Sequence, residues 1–257
     1  MRLIDTHCHL YLPEFDSDRA AMLERAKQRG VERFYLPAID STTAASMFAL
    51  ADAWPSVCIP MMGLHPCSVK ENVAEELAAV ERWLSEKRFA AVGEIGLDFY
   101  WDKSHVEQQY AAFRQQMEWA LHYQLPIVIH SRDAMQECID TVRPFARRGL
   151  TGVFHCFGDS LESARQIIDL GFYLGIGGVV TYKKSGLAEL LSHIAPEHLV
   201  LETDAPYLTP VPFRGKRNES AYITYVAETV AAAKNLPVEE IAEITSRNAD
   251  RLFGVNA

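Results

Sequence analysis

His7-Cys8-His9 places two imidazoles two residues apart, which in an extended strand turns both to one side and Cys8 to the other. Alone, the pair fits a metal site or two histidines satisfied by local hydrogen bonds. Four more groups of ligating type follow apolar runs: Glu94 in Val92-Gly93-Glu94-Ile95-Gly96, His130 after Pro126-Ile127-Val128-Ile129, His155 after Gly152-Val153-Phe154, and Asp204 in Leu201-Glu202-Thr203-Asp204-Ala205-Pro206. Each has a structural reading by itself, as a salt-bridged loop carboxylate or a hydrogen-bonded strand-end histidine. As a set, mixed imidazole and carboxylate donors suit two divalent ions such as Mg²⁺, Mn²⁺ or Zn²⁺. Two such ions about 3.5–4 Å apart polarise a phosphoryl or carbonyl oxygen and generate hydroxide near neutral pH. Glu94 has two oxygens and is the natural bridge. Asp204 is the candidate general base as well as a ligand. Glu202 and Asp5 are expected to orient or neutralise rather than catalyse.

A second tier of residues could meet a substrate. His65, in Gly63-Leu64-His65-Pro66, and Asp98, in Gly96-Leu97-Asp98, follow apolar runs and fit either substrate contact or structure. Arg132, two residues after His130, and Arg214 and Lys216 in Arg214-Gly215-Lys216-Arg217 could donate to a phosphate. A solvated loop is the competing reading of that last run. Phe99-Tyr100-Trp101 offers rings for stacking on nucleobases, or for packing. His105, His122, His193 and His198 fall on helical stretches or their edges and are expected at the surface.

These residues need a scaffold that gathers them. Strand-like runs at Leu3–Thr6, Phe34–Ala38, Cys58–Gly63, Ala90–Glu94, Pro126–His130, Gly152–His155, Phe172–Ile176 and Leu199–Glu202 alternate with amphipathic stretches such as Ala20–Arg29, Glu75–Lys87 and Val106–Tyr123. Gly30 and Gly149 stand where left-handed helix C-caps belong, and Ser160 is a candidate N-cap. The alternation predicts an α/β fold with a parallel sheet, open or closed. The polar residues choose between these. They sit at the C-terminal ends of the first, fourth, fifth, sixth and eighth runs, which converge only in a closed (β/α)8 TIM barrel. At 257 residues, with 49% hydrophobic content and no linker or repeat, one barrel domain over 1–257 is expected.

The formal net charge of −9 argues against coating long duplexes, which takes a basic surface, but leaves room for a local metal-assisted phosphate site. Five cysteines, with no C-x-x-C pair, fit a reducing compartment rather than a disulfide framework or a thiolate zinc site. Met1 leads straight into Arg2-Leu3-Ile4-Asp5 with no signal-peptide-like run, and no apolar stretch nears the roughly 18 residues of a membrane span. A cytoplasmic location without membrane partners is expected.

The ordered set Asp5-Thr6-His7-Cys8-His9-Leu10, Gly63-Leu64-His65-Pro66, Gly93-Glu94-Ile95-Gly96-Leu97-Asp98, His130-Ser131-Arg132, His155-Cys156-Phe157-Gly158 and Glu202-Thr203-Asp204-Ala205-Pro206-Tyr207-Leu208 resembles the TatD family of metal-dependent deoxyribonucleases, as does Asn248-Ala249-Asp250-Arg251-Leu252-Phe253 near the end. The blocks span nearly the whole chain in the family's order. The resemblance implies a (β/α)8 barrel, a divalent-metal requirement and hydrolysis of phosphodiester bonds in DNA. It implies His7, His9, Glu94, His130, His155 and Asp204 as ligands and His65 as a substrate-side residue. One departure is Arg217-Asn218-Glu219-Ser220 where the family commonly has Arg-Asn-Glu-Pro, a change expected to loosen that loop and alter substrate grip.

DNA or another phosphodiester is thus the leading substrate class, with exonucleolytic trimming favoured because a barrel mouth suits an exposed terminus. The rival is a hydrolase of an ester, amide or lactone on the same scaffold, including deacylation of a charged nucleic acid. A third reading is a non-catalytic protein using metal structurally. A complete ligand set with a candidate base speaks against it, since structural sites close their coordination.

Overall fold

In the computed structural model, which describes residues 1–254, eight parallel strands alternate with helices. The last three residues of the expected 1–257 unit lie outside it. The strands are β1 (Leu3–Asp5), β2 (Val31–Pro37), β3 (Cys58–Met61), β4 (Val92–Asp98), β5 (Ile127–Arg132), β6 (Gly152–Phe154), β7 (Tyr173–Ile176) and β8 (Leu199–Leu201). The helices are α1 (Arg19–Gln28), α2 (Ser41–Ala53), α3 (Val73–Glu86), α4 (Val106–Tyr123), α5 (Met135–Ala146), α6 (Leu161–Asp169), α7 (Leu187–Leu191), α8 (Ile223–Lys234) and α9 (Val238–Phe253).

Ladders run β1-β2-β3 and β4-β5-β6-β7-β8. Two single bridges close them into a ring, Met62 to Val92 between β3 and β4, and Cys8 to Ala205 between the exits of β1 and β8. The expected TIM barrel is therefore the observed fold. Inside it, Ile4, Tyr35, Ile59, Met61, Val128, Val153 and Val200 pack with Ala249, Leu252 and Phe253 of α9, which plugs the bottom. Outside, a continuous apolar layer joins the strands to the surrounding helices.

The strand ends depart from expectation where chemistry intrudes. β4 runs to Asp98 instead of stopping at Glu94, and β5 continues past His130 to Arg132. Polar residues read as ends in an apolar pattern, yet every residue of β4 is buried, because neighbouring strands, α4 and the barrel interior cover it. Pairing between β4 and β5 breaks after Val92 and resumes at Ile95. The Gly93 amide instead donates to the Met62 carbonyl (3.0 Å) and the Glu94 amide to that of Ala38 (3.2 Å). Such an irregularity re-aims a side chain, here Glu94. The Ser160 cap is present, with its hydroxyl accepting from the Ser163 amide at 3.1 Å.

Candidate metal centre at the barrel mouth

The seam between β1 and β8 sets three of the six candidate ligands. Beyond β1 the chain stays extended: the Cys8 amide donates to Tyr35, the His9 amide to Ala205 (2.8 Å) and the Asp204 amide to His7 (2.9 Å). Asp5, buried beneath, accepts from the Thr203 amide (3.0 Å) and hydroxyl (2.6 Å), fixing the turn that carries Asp204. Burial pushes the Asp5 pKa up to about 7. Asp204 itself sits at φ 55°, a left-handed conformation uncommon outside glycine and enriched at functional sites.

His7 Nε2, His9 Nε2, Glu94 Oε2 and Asp204 Oδ1 converge. His7 lies 3.3 Å from His9, 3.2 Å from Glu94 and 3.7 Å from Asp204, and His9 lies 3.6 Å from Glu94 and 3.5 Å from Asp204. Donors at metal–ligand distances of about 2.0–2.2 Å in a tetrahedron stand roughly 3.3–3.6 Å apart, so the spacing fits an ion. The other Glu94 oxygen, Oε1, faces a second group: His130 Nδ1 at 2.9 Å, His155 Nε2 at 3.5 Å and His65 Nε2 at 3.5 Å.

Hydrogen bonds on the outer side of the His9 and His130 rings decide which of their nitrogens is bare. The Tyr11 hydroxyl donates to the Pro37 carbonyl (2.6 Å), so its contact with His9 Nδ1 (3.0 Å) must be donated by the ring, leaving Nε2 free to ligate. His130 Nε2 donates to Asp98 Oδ2 (2.9 Å), which leaves Nδ1 bare toward Glu94. His155 Nδ1 lies 2.9 Å from Glu202 Oε1, so a carboxylate stands behind that ring as well. Carboxylate backing of this kind fixes tautomer and ring orientation at metal sites. Glu202 has room because position 175 is glycine; a β-carbon there would collide with the Glu202 carboxylate.

His65 is the reverse case. Distance groups it with Glu94 and His130 as a possible ligand set. However, its Nδ1 accepts from the Cys67 amide (3.0 Å), so the neutral ring carries its proton on Nε2 and offers a donor to the mouth.

The electrostatics are those of a concentrated anionic pocket. Burial raises the Glu94 pKa, but the His65, His7 and His155 rings outweigh it and hold the carboxyl well below its usual range. Burial and the stacked His155 ring, 3.6 Å away, lower the pKa of His7. Burial also disfavours charge on His155, yet Glu202 and Glu94 push its pKa up to about 10. Buried carboxylates need opposite charge nearby, and no lysine or arginine forms a salt bridge with Asp5, Glu94, Asp98, Glu202 or Asp204 among the described residues. The surrounding imidazoles supply part of it, and a bound cation would supply more. The mouth opens into a cavity of about 750 Å³.

Several expectations shift. Asp98 is not a substrate contact: it is buried, its Oδ2 holding His130 and its Oδ1 accepting the amides of Tyr100 and Trp101. Arg132 lines the cavity, but Arg214 and Lys216 do not. The Arg214 guanidinium lies over the Tyr182 ring (4.2 Å), and the Lys216 ammonium 5.8 Å from the Phe213 ring. Nor does Ser220 loosen its loop. Asn218 donates to the carbonyls of Thr203 (2.8 Å) and Tyr207 (2.6 Å), Arg217 pairs with Asp18 and Glu219 with Arg25. Among the outlying histidines, His105 is partly buried beside Glu71 (3.4 Å) instead of lying free at the surface. The Tyr11 latch on His9 was missed from sequence; an aromatic hydroxyl two residues beyond the H-x-H pair was its only signal.

A family profile for TatD related DNases matches residues 4–254. The chain belongs to the TatD family. It is 39% identical over 255 residues to the uncharacterized metal-dependent hydrolase YabD of Bacillus subtilis, covering 99% of this chain and 100% of that one. It is 33% identical over 257 residues to the 3'-5' ssDNA/RNA exonuclease TatD of Edwardsiella piscicida, covering 98% and 99%. The crystal structure of the TatD homologue YjjV from Escherichia coli superposes with a TM-score of 0.92 at 31% identity, covering 98% of each chain. TatD membership makes this protein a metal-dependent hydrolase, in agreement with donor groups that could hold ions at its mouth. No helix among the described residues of this TatD chain is long and apolar enough to cross a membrane.

Proposed function

We propose that the protein is a two-metal nuclease that hydrolyses phosphodiester bonds at exposed DNA strand ends. The observation that carries the reading is the division of Glu94, with Oε2 among His7, His9 and Asp204 and Oε1 beside His130 and His155. His7, His9, Glu94 and Asp204 would hold one ion, and Glu94, His130 and His155 the other. Bound divalent ions polarise a phosphoryl oxygen and make water acidic near neutral pH.

The remaining work falls to the chain. Asp204, kept ionised against the penalty of burial by His9, His155 and His7, accepts the proton of the attacking water. His65 Nε2–H donates to a substrate oxygen, and Arg132 at the rim offers donors to a neighbouring phosphate. Asp98, Glu202 and Tyr11 keep the ligating rings turned inward. A cavity at one end of a closed barrel admits a strand terminus more readily than a duplex interior. The acidic surface fits local capture of an end rather than duplex coating. The exonuclease name of the Edwardsiella relative points the same way.

The test is a substrate screen with the protein loaded in turn with Mg²⁺, Mn²⁺ and Zn²⁺, against single-stranded DNA, RNA, small phosphodiesters, esters and amides. Metal-dependent release of mononucleotides from DNA is expected. Turnover confined to esters or amides would move the site to the rival hydrolase class. No turnover of anything by fully metallated protein would sink the enzyme reading.

A further inference from the structure

Two large aromatic side chains stand in the open beside the candidate metal centre. Trp101 is 68% exposed and Tyr100 53%, whereas the neighbouring Phe99 packs inward against Tyr110. Packing therefore accounts for Phe99 but not for the other two. Two such rings side by side at the rim of a cavity make a contiguous exposed apolar patch, the kind of surface that marks a binding site.

The pair is organised. The rings meet edge to face with centroids 4.9 Å apart, and the Arg132 guanidinium lies 3.9 Å from the Tyr100 centroid and 5.2 Å from that of Trp101. Trp101 and Arg132 both line the cavity that contains His65 and His130. The turn beneath is held from inside: Asp98 Oδ1 accepts the amides of Tyr100 (3.0 Å) and Trp101 (3.1 Å), while Asp98 Oδ2 holds His130 (2.9 Å). The backbone that carries both rings is thus tied to His130 through one buried carboxylate.

We infer that Tyr100, Trp101 and Arg132 form a stacking shelf for one unpaired nucleobase beside the scissile phosphodiester. The inference rests on the nuclease reading above and narrows it. Aromatic and guanidinium planes are the usual platforms for unpaired bases and work without sequence preference, since every base has a π-face. In a duplex both faces of an interior base are already covered by its neighbours. A frayed or unpaired end can give one face to the shelf while its phosphate enters the cavity.

The test compares metal-loaded protein on a short single-stranded oligodeoxynucleotide and on the same strand with abasic terminal nucleotides. In Trp101→Ala, KM for the base-bearing strand should rise about tenfold, equivalent to about 1.4 kcal/mol. kcat should stay within about twofold, abasic-strand kinetics should not change, and Trp101→Phe should restore most of the affinity. Equal KM for both strands with the wild type, or an unchanged KM in Trp101→Ala, overturns the shelf. A binding readout separates this failure from failure of the nuclease reading: titration of metal-loaded protein with a phosphorothioate strand should quench tryptophan fluorescence, and Trp101→Phe should lose that quenching. Quenching without turnover of any strand keeps the shelf and removes the nuclease. Turnover without either a KM difference or quenching removes the shelf alone, and absence of both turnover and quenching removes both.

Discussion

At the bottom of the barrel Asp250 on α9 meets two guanidiniums, Arg2 at 2.7 Å and Arg33, and Arg2 also reaches Glu32 at 3.0 Å. At the mouth, Asp5, Glu94, Asp98, Glu202 and Asp204 are gathered around imidazoles, and no lysine or arginine pairs with them among the described residues. The bottom also has the roomier groove, about 870 Å³ against about 750 Å³ at the mouth, lined by Lys87, Arg88, Phe89 and Phe253 with no cluster of metal-ligating groups among the described residues. Space therefore does not distinguish the working end. Unbalanced buried charge does: one end spends its carboxylates on the fold, and the other keeps them for cations.

The contrast breaks most visibly at Glu94. Glu94→Gln should remove bound metal and lower turnover by roughly a thousandfold or more, since one group serves both donor sets. Undiminished metal content and turnover in Glu94→Gln would erase the distinction. Asp204→Asn comes next, with kcat reduced about 10²- to 10⁴-fold and at least one ion retained by elemental analysis; unchanged kcat would remove Asp204 from the base role.

The bottom should answer oppositely. Asp250→Asn leaves Arg33 without its partner and should cost about 1–3 kcal/mol of stability, read by denaturant unfolding, with kcat and metal content intact. The smallest effect belongs to the rim network. Arg217 and Arg25 hydrogen bonds hold the Asp18 carboxyl below its ordinary value of 3.8. A group whose pKa is depressed in the folded state contributes stability above the unfolded value and loses it as pH falls through the folded one. Wild type should thus lose slightly more thermal stability than Asp18→Asn between pH 5 and about pH 2. Parallel curves would mean the pair contributes nothing.

That the six candidate ligands meet was legible because their types are read from residue identity, and chain order plus strand alternation sufficed to bring them to one mouth. The roles of their neighbours were not, because these depend on which nitrogen or oxygen faces which partner. Asp98 looked like a substrate contact, yet its oxygens are taken by His130 and two backbone amides. His65 turns a donor toward the mouth only because its Nδ1 accepts the amide of Cys67. Arg214 and Lys216 read as phosphate donors from type alone, while ties made by Asn218 and Arg217 to distant segments direct their loop. Strand limits failed at Glu94 and His130 because functional polar residues interrupt an apolar pattern without ending the strand.

The seam between the first and last strands has a topological meaning. Asp5 and Thr203, 198 residues apart, are joined there, and His7, His9 and Asp204 flank the same bridge. An ion held by those three would act as a removable clasp across the join that the Cys8–Ala205 bridge makes. Closing so long a loop carries an entropic penalty that grows only slowly with length, so one clasp matters more than its position. Withdrawing the ion should let this joint open first, with amide exchange near Cys8 and Ala205 quickening while the β4–β5 pairing stays protected. Uniform exchange around the ring would show that the clasp is not needed.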